Sequence, residues 1–251
     1  MVTPLSTGAL GGEPLSRAIA DQLAAVADEK TRQWWERYLK GAVPFRGVSM
    51  ASTRRIVHQT WQTAGIDQLD PEVQIELALA QFAEPYCEDK LAGVLALGER
   101  LLGQLTLQHV PALARPFERR YIQDWSTCDW YCVKVLGPFV ERGEDRRRRS
   151  EAIAGWRSAA TLWQRRAAAV SFVNLAPQGE RFFDGFTDLL LTVCASNVAD
   201  PARFSQTSVG WLLRELSGGE PARVQEFVDE HRGSMSREAL KAATTRLAKQ
   251  F

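Results

Sequence analysis

Apolar residues recur at helical spacing through nearly all of the chain after residue 14, and nowhere do they alternate as a half-buried strand would. In LSRAIADQLAAVADEKTRQWWERYL, the positions Ile19, Leu23, Val26, Trp34 and Leu39 fall near one helical face. Asp70-Pro71 and Asp200-Pro201 each pair a side-chain acceptor for orphan amides with a residue whose φ is already helical, so each marks a helix start. Gly218-Gly219 followed by Pro221 closes one helix and opens the next, and Gly233 closes another. Helices of ~12–20 residues with short polar connections predict stacked antiparallel pairs in units of ~40 residues. The expected fold is all-α, a solenoid of HEAT-like helix pairs. No exact repeat is visible, so this expectation rests on helix rhythm, and a compact helical bundle shares that rhythm. Residues 1–13 read as a loose N-terminal arm and 14–251 as a single helical-repeat domain.

Composition narrows the function classes. With 251 residues the chain can bury a sizeable core, and a net charge of +1 excludes a molecule-wide attraction for nucleic acid, so any anion site must be a local patch. The four cysteines (Cys87, Cys128, Cys132, Cys194) fit a reducing compartment better than a disulfide framework. The longest apolar runs, such as LLLTVCA at 189–195, fall far short of the ~20 residues of a membrane span. The N-terminus lacks the features of a signal peptide, and the expected location is cytoplasmic. Neither a glycine-rich phosphate loop nor a GxSxG elbow is present, and three scattered histidines make imidazole catalysis unattractive. No cofactor and no resident metal are expected, and the chain is expected to act as a monomer.

Three stretches carry candidate chemistry. In TCDWYC at 127–132, Cys128 and Cys132 share a helix face. They are either half of a zinc site with no second pair to complete it, or small thiols packing a helix interface, and the second reading is preferred. Asp129, set among Trp125, Trp130 and Tyr131, is either a surface acid or a carboxylate held in an aromatic cleft. In WQRRAAAV at 163–170, Arg165 and Arg166 are either solvated or a pair of phosphate-binding guanidiniums. DRRRRS at 145–150 is either a non-specific phosphate attractor or a solvated face. In RFSQTSVGWLLREL at 203–216, Gly210 permits close approach of a neighbour, and Trp211 is either a packing knob or a stacking platform.

RYLKGAVPFRGVSMASTRR at 37–55, WQRRAAAV at 163–170, VGWLLREL at 209–216 and SREALK at 236–241 occur in an order that resembles the AlkD-type DNA alkylation-repair glycosylases. The resemblance runs from about residue 20 to the C-terminus. It implies a C-shaped solenoid of HEAT-like repeats whose basic concave face cradles duplex DNA. It also implies excision of cationic N3- or N7-alkylpurines, including bulky ones, without flipping the lesion into a pocket. The partner is then double-stranded DNA containing alkylated bases. Carried over residue by residue, Trp211 matches a tryptophan beside the lesion, Arg166 a DNA-contacting arginine and Tyr38 an aromatic near the lesion. Arg165, Arg46, Arg54, Arg55 and Phe204 complete the expected DNA-binding set. The family's Trp and, four residues on, its catalytic Asp align without a gap on Cys128 and Cys132. A neutral thiol cannot supply a carboxylate's field. Trp125 and Asp129 restore the spacing one turn earlier, and relocation is preferred to coincidence.

Three functions therefore compete: an alkylpurine DNA glycosylase using Asp129, Trp125 and Trp211, a catalytically silent DNA-binding protein, and a protein-binding α-solenoid scaffold. Salt-sensitive duplex binding separates the first two from the third, because phosphate contacts release counterions. Release of free base separates the first from the second.

Overall fold

The computed structural model describes residues 12–247, so most of the expected 1–13 arm lies outside the described residues. Gly12 and Glu13 already belong to the first helix, α1 (Gly12–Ala25). Among the described residues the fold is all-α, with no strand. The remaining helices are α2 (Glu29–Tyr38), α3 (Met50–Thr63), α4 (Pro71–Ala80), α5 (Cys87–Ala96), α6 (Val110–Glu118) and α7 (Trp125–Tyr131). They are followed by α8 (Gly137–Glu141), α9 (Arg146–Ala154), α10 (Leu162–Val170), α11 (Phe186–Val198), α12 (Arg203–Leu216), α13 (Pro221–His231) and α14 (Arg237–Thr244). Most are shorter than the periodicity suggested, because wide helical turns and single 3-10 turns interrupt the apolar runs. No described helix is long and apolar enough to cross a membrane.

The chain divides into two compact units, with the boundary between Tyr131 and Cys132. In the first unit α5 is buried along its whole length and packs against α1, α3, α4 and α7. Trp61, Phe82, Phe117 and Tyr131 are its largest sealed side chains. In the second unit α12 takes the central place, against α10, α11 and α14. Each helix that packs on its second neighbour in sequence, as α3 does on α1 and α5 and α12 on α10 and α14, follows the stacking rule of an α-solenoid.

The expected close approach at Gly210 is present. A Cβ there would stand 2.7 Å from the Ala239 carbonyl oxygen, so the α14 backbone lies directly on α12.

Two helix boundaries differ from expectation. The long pattern from Leu15 to Leu39 breaks into α1 and α2, because Asp28 caps a new helix by accepting the Thr31 amide at 2.7 Å. Ile19, Leu23 and Leu39 are buried as the pattern requires, whereas Val26 and Trp34 are exposed. Asp70 does cap α4, accepting from the Glu72 amide. Asp200-Pro201 does not start α12 directly, since Asp200 spends its carboxylate on the Ala202 amide and on Arg165, and the helix begins at Arg203.

Candidate functional site

Helix α7 carries the centre of the site, and its start is fixed by a buried carboxylate. Asp124, immediately before the helix, accepts the Thr127 amide at 2.8 Å. Burial pushes its pKa up, opposed by the hydrogen bonds from Thr127 and by the charge of Lys90. Lys90 is itself buried and donates to the Phe82 and Glu84 carbonyls at 2.8 and 2.5 Å, and burial pulls its pKa down.

With the start fixed, the two faces of α7 separate. Ser126, Thr127, Cys128 and Tyr131 turn inward, and Tyr131 donates to the Leu113 carbonyl and packs against Phe82 and Phe117. Trp125, Asp129 and Trp130 are half-buried and so reach the surface. Cys128 and Cys132 are completely buried. The positions where the resemblance places its catalytic pair are therefore interior here, and the Trp-x-x-x-Asp spacing that reaches the surface is Trp125 and Asp129. Immediately after Tyr131 the helix widens into a π turn, Cys132–Leu136, a device that shifts which residues face outward and recurs at functional sites.

Trp125 has an aromatic neighbour brought from α2. Its ring meets Tyr38 edge-to-face, centroids 5.5 Å apart. Tyr38 stacks in turn on Trp34 at 5.3 Å with their planes 13° apart. Trp35, between them in sequence, meets both edge-to-face, at centroid distances of 4.7 Å from Trp34 and 6.0 Å from Tyr38, and stacks on the buried Phe45. Helix α2 buries none of its own residues, and Trp34 and Tyr38 are 52% and 54% exposed. Of the sequence-expected candidates, the structure brings Tyr38 and Trp125 together. Trp34, whose helical spacing from Ile19 and Leu23 predicts core, instead stacks on Tyr38 at the surface. Its place one turn before Tyr38 puts the two rings on one helix face.

The expected DNA-binding arginines are mostly engaged within the protein. Arg46 grips Asp89 through Nε at 3.1 Å and Nη2 at 2.9 Å and lies over the Tyr86 ring. Burial raises the Asp89 pKa against the pull of that guanidinium. The neighbouring Glu88, also buried, accepts the amides of Arg46, Gly47 and Val48 at 2.9–3.0 Å and so pins the loop between α2 and α3 to the first turn of α5. Arg54 pairs with Glu99, which also meets His58, while Arg55 is exposed beside Gln59.

In the second unit Arg165 binds Asp200 at 2.7 Å and the Ala159 and Ala160 carbonyls. Arg166 is only 5% exposed and donates to the Phe204 carbonyl and the Thr207 hydroxyl of α12. Phe204 is half-buried against Trp163, with Arg203 and Arg166 over its ring. Trp211 is half-buried. The run Arg146–Arg149 is not a uniformly solvated face. Arg146, Arg147 and Arg149 lie over Phe182, Phe183 and Phe139, and Arg149 also donates to the Phe139 and Arg142 carbonyls.

Further exposed cations of the first unit lie on and just after α2. On α2, Arg32 bridges Glu29 and Glu36, which leaves Lys30, Arg37 and Lys40 exposed around the aromatic pair. Surface aromatics can stack on planar groups, exposed cations attract anions, and a carboxylate stabilises positive charge. No described group of three His, Cys, Asp or Glu residues stands close enough to hold a metal ion.

The profile of the family described as DNA alkylation repair enzyme matches residues 19–247. Among solved structures, a predicted DNA alkylation repair enzyme from Enterococcus faecalis superposes with a TM-score of 0.74 at 19% sequence identity. The superposition covers 89% of this chain and 97% of that one, which establishes a common fold. Comparison with curated protein sequences finds no significant match.

Proposed function

The chain belongs to the DNA alkylation repair enzyme family, and from that premise we propose that it is a glycosylase hydrolysing the N-glycosidic bond of N3- or N7-alkylated purines in duplex DNA. The observation that carries this reading is the pairing of Trp125 and Asp129 on the surface-reaching side of α7, with Tyr38 against Trp125. An alkylated purine already bears positive charge and is a good leaving group. The protein then has only to stabilise the oxocarbenium character that develops on the sugar as the bond breaks. A carboxylate does this by its field and aromatic faces by their quadrupoles. Asp129 is assigned the first task and Trp125 the second, and the sequence resemblance assigns Trp211 an aromatic contact of its own. Water adds to the sugar carbon and gives up its proton to solvent, and the purine keeps the electron pair of the broken bond and leaves as the neutral alkylated base. No pocket for an extrahelical base is required.

Tyr38 contacts the duplex beside the lesion, and Arg55 supplies a phosphate contact. Arg46, Arg54, Arg165 and Arg166, being engaged by carboxylates, hydroxyls or carbonyls, act mainly by holding loops and helices in place. Phe204 is positioned by Arg166 and serves as a secondary contact.

Incubation with randomly methylated duplex DNA, followed by chromatography of the released bases, tests the reading. Wild-type protein is expected to release 3-methyladenine or 7-methylguanine. Asp129→Asn, which keeps the shape and removes the charge, is expected to slow release by ~10²–10³ while leaving duplex affinity in place. Salt-dependent duplex binding without any base release would assign the chain to silent recognition of damaged DNA instead.

A further inference from the structure

The exposed Trp34 lies outside the residues given a role above, and its environment is unusual for a soluble surface. Large aromatics are commonly left partly exposed singly, but here two of them stack nearly parallel on a helix that buries nothing. The stack continues inward: Trp34 lies on Tyr38, Tyr38 meets Trp125, and Asp129 follows Trp125 by one turn on α7. Around it stand Lys30, Arg37 and Lys40, while the two acidic groups of α2 are taken up by Arg32. An apolar partner protein would not be drawn by that charge, whereas a polyanion carrying a planar apolar group would be.

We propose that Trp34 is the specificity-determining residue for the substituent on the damaged purine, and that planar aromatic adducts stack on the Trp34–Tyr38 pair while simple methyl groups do not reach it. This rests on the glycosylase reading given above. Physically, stacking adds binding in proportion to the apolar, polarisable area of the adduct, so the gain grows with adduct size and vanishes for methyl. The glycosidic bond itself is broken at Asp129 and Trp125, so Trp34 changes which lesion is preferred and not the chemistry applied to it. Trp34 is 52% exposed and its ring meets Trp35 and Tyr38, neither of them a sealed core residue, so truncation there removes surface packing and leaves Phe45 and the core beneath in place.

The test uses two duplexes of one sequence, one carrying a single N7-methylguanine and one a single N7-benzylguanine. Base release and duplex affinity are both measured for wild type, Trp34→Ala and Trp34→Phe. Trp34→Ala is expected to lower kcat/KM for the benzyl duplex about 10-fold, with the methyl duplex unchanged within about twofold. Trp34→Phe, which keeps a ring to stack on, is expected to recover most of the loss. Equal losses on both duplexes, or no loss on either, overturn the proposal. If wild-type protein releases neither base, the glycosylase reading fails, and affinity alone judges Trp34. A wild-type preference for the benzyl over the unmodified duplex that disappears in Trp34→Ala supports the residue's role, and the absence of such a preference refutes it.

Discussion

Replacing Glu88 with Gln tests whether one buried carboxylate holds the site's two helices in register. Its Oε1 accepts the Gly47 and Val48 amides, each at 2.9 Å, and its Oε2 accepts the Arg46 amide at 3.0 Å. The same loop grips α2, because the Gly47 carbonyl accepts the Asp28 amide at 2.9 Å, and Asp28 caps the helix bearing Trp34 and Tyr38. Gly47 holds a φ of +91°, and a Cβ on it would overlap the Asp28 carbonyl, so no other residue can make this approach. A glutamine can keep its oxygen on Gly47 and Val48 only by turning its amide group toward the Arg46 N–H, donor against donor. One hydrogen bond to a charged group, ~1.5–3 kcal/mol, is then lost, together with ~0.3–1 kcal/mol from the negative charge at the N-terminus of α5. Relief of a buried charge offsets part of this, which gives a net destabilisation of about 2 kcal/mol. Urea unfolding should show a lowered midpoint at unchanged slope. Glu88→Ala, which leaves three amides without their acceptor, should cost more. A Glu88→Gln variant within about 0.5 kcal/mol of wild type, the scatter of ordinary surface changes, would refute the clamp.

Arg166→Ala should lower stability by about 2–3 kcal/mol through the loss of its bonds to α12, while the salt dependence of duplex binding keeps its slope. A slope reduced by about one unit in titrations at varied salt would make Arg166 a phosphate contact after all. Trp211→Ala should reduce excision by roughly 10–100-fold in folded protein, measured by single-turnover base release. Unchanged excision in a destabilised variant would make Trp211 packing alone. Asp124 has a raised folded pKa, so its favourable contribution is full below its ordinary value of 3.8 and is lost as pH rises through the folded value. Asp124→Asn keeps an acceptor for Thr127 and cannot ionise. Urea midpoints should therefore show this variant gaining on wild type as pH climbs above 3.8, and a constant difference between pH 3 and 7 would contradict the assigned shift.

The periodicity of the chain determined that it is helical, and its punctuation determined several boundaries. Asp70-Pro71, Gly218-Gly219 and Gly233 act through local dihedral and capping preferences that need no partner. The spacing of Trp125 and Asp129, and the aromatic at Tyr38, were legible for the same reason, since residues four apart share a helix face wherever the helix lies. Tertiary structure decided which face that is. The Cys128–Cys132 and Trp125–Asp129 pairs have identical spacing, and packing of α7, anchored by Tyr131 against Phe82, Phe117 and the Leu113 carbonyl, leaves the first pair buried and the second half-buried. The fate of the charges was likewise undecided along the chain. Arg46 meets Asp89 across 43 positions, and Arg165 meets Asp200 across 35. An arginine destined for a buried pair and one destined for solvent look alike until the fold brings a carboxylate within reach. Trp34 shows the converse case. Its helical spacing suggested core, but the break at Asp28 turns α2 away from the line set by α1 and leaves that ring on the surface.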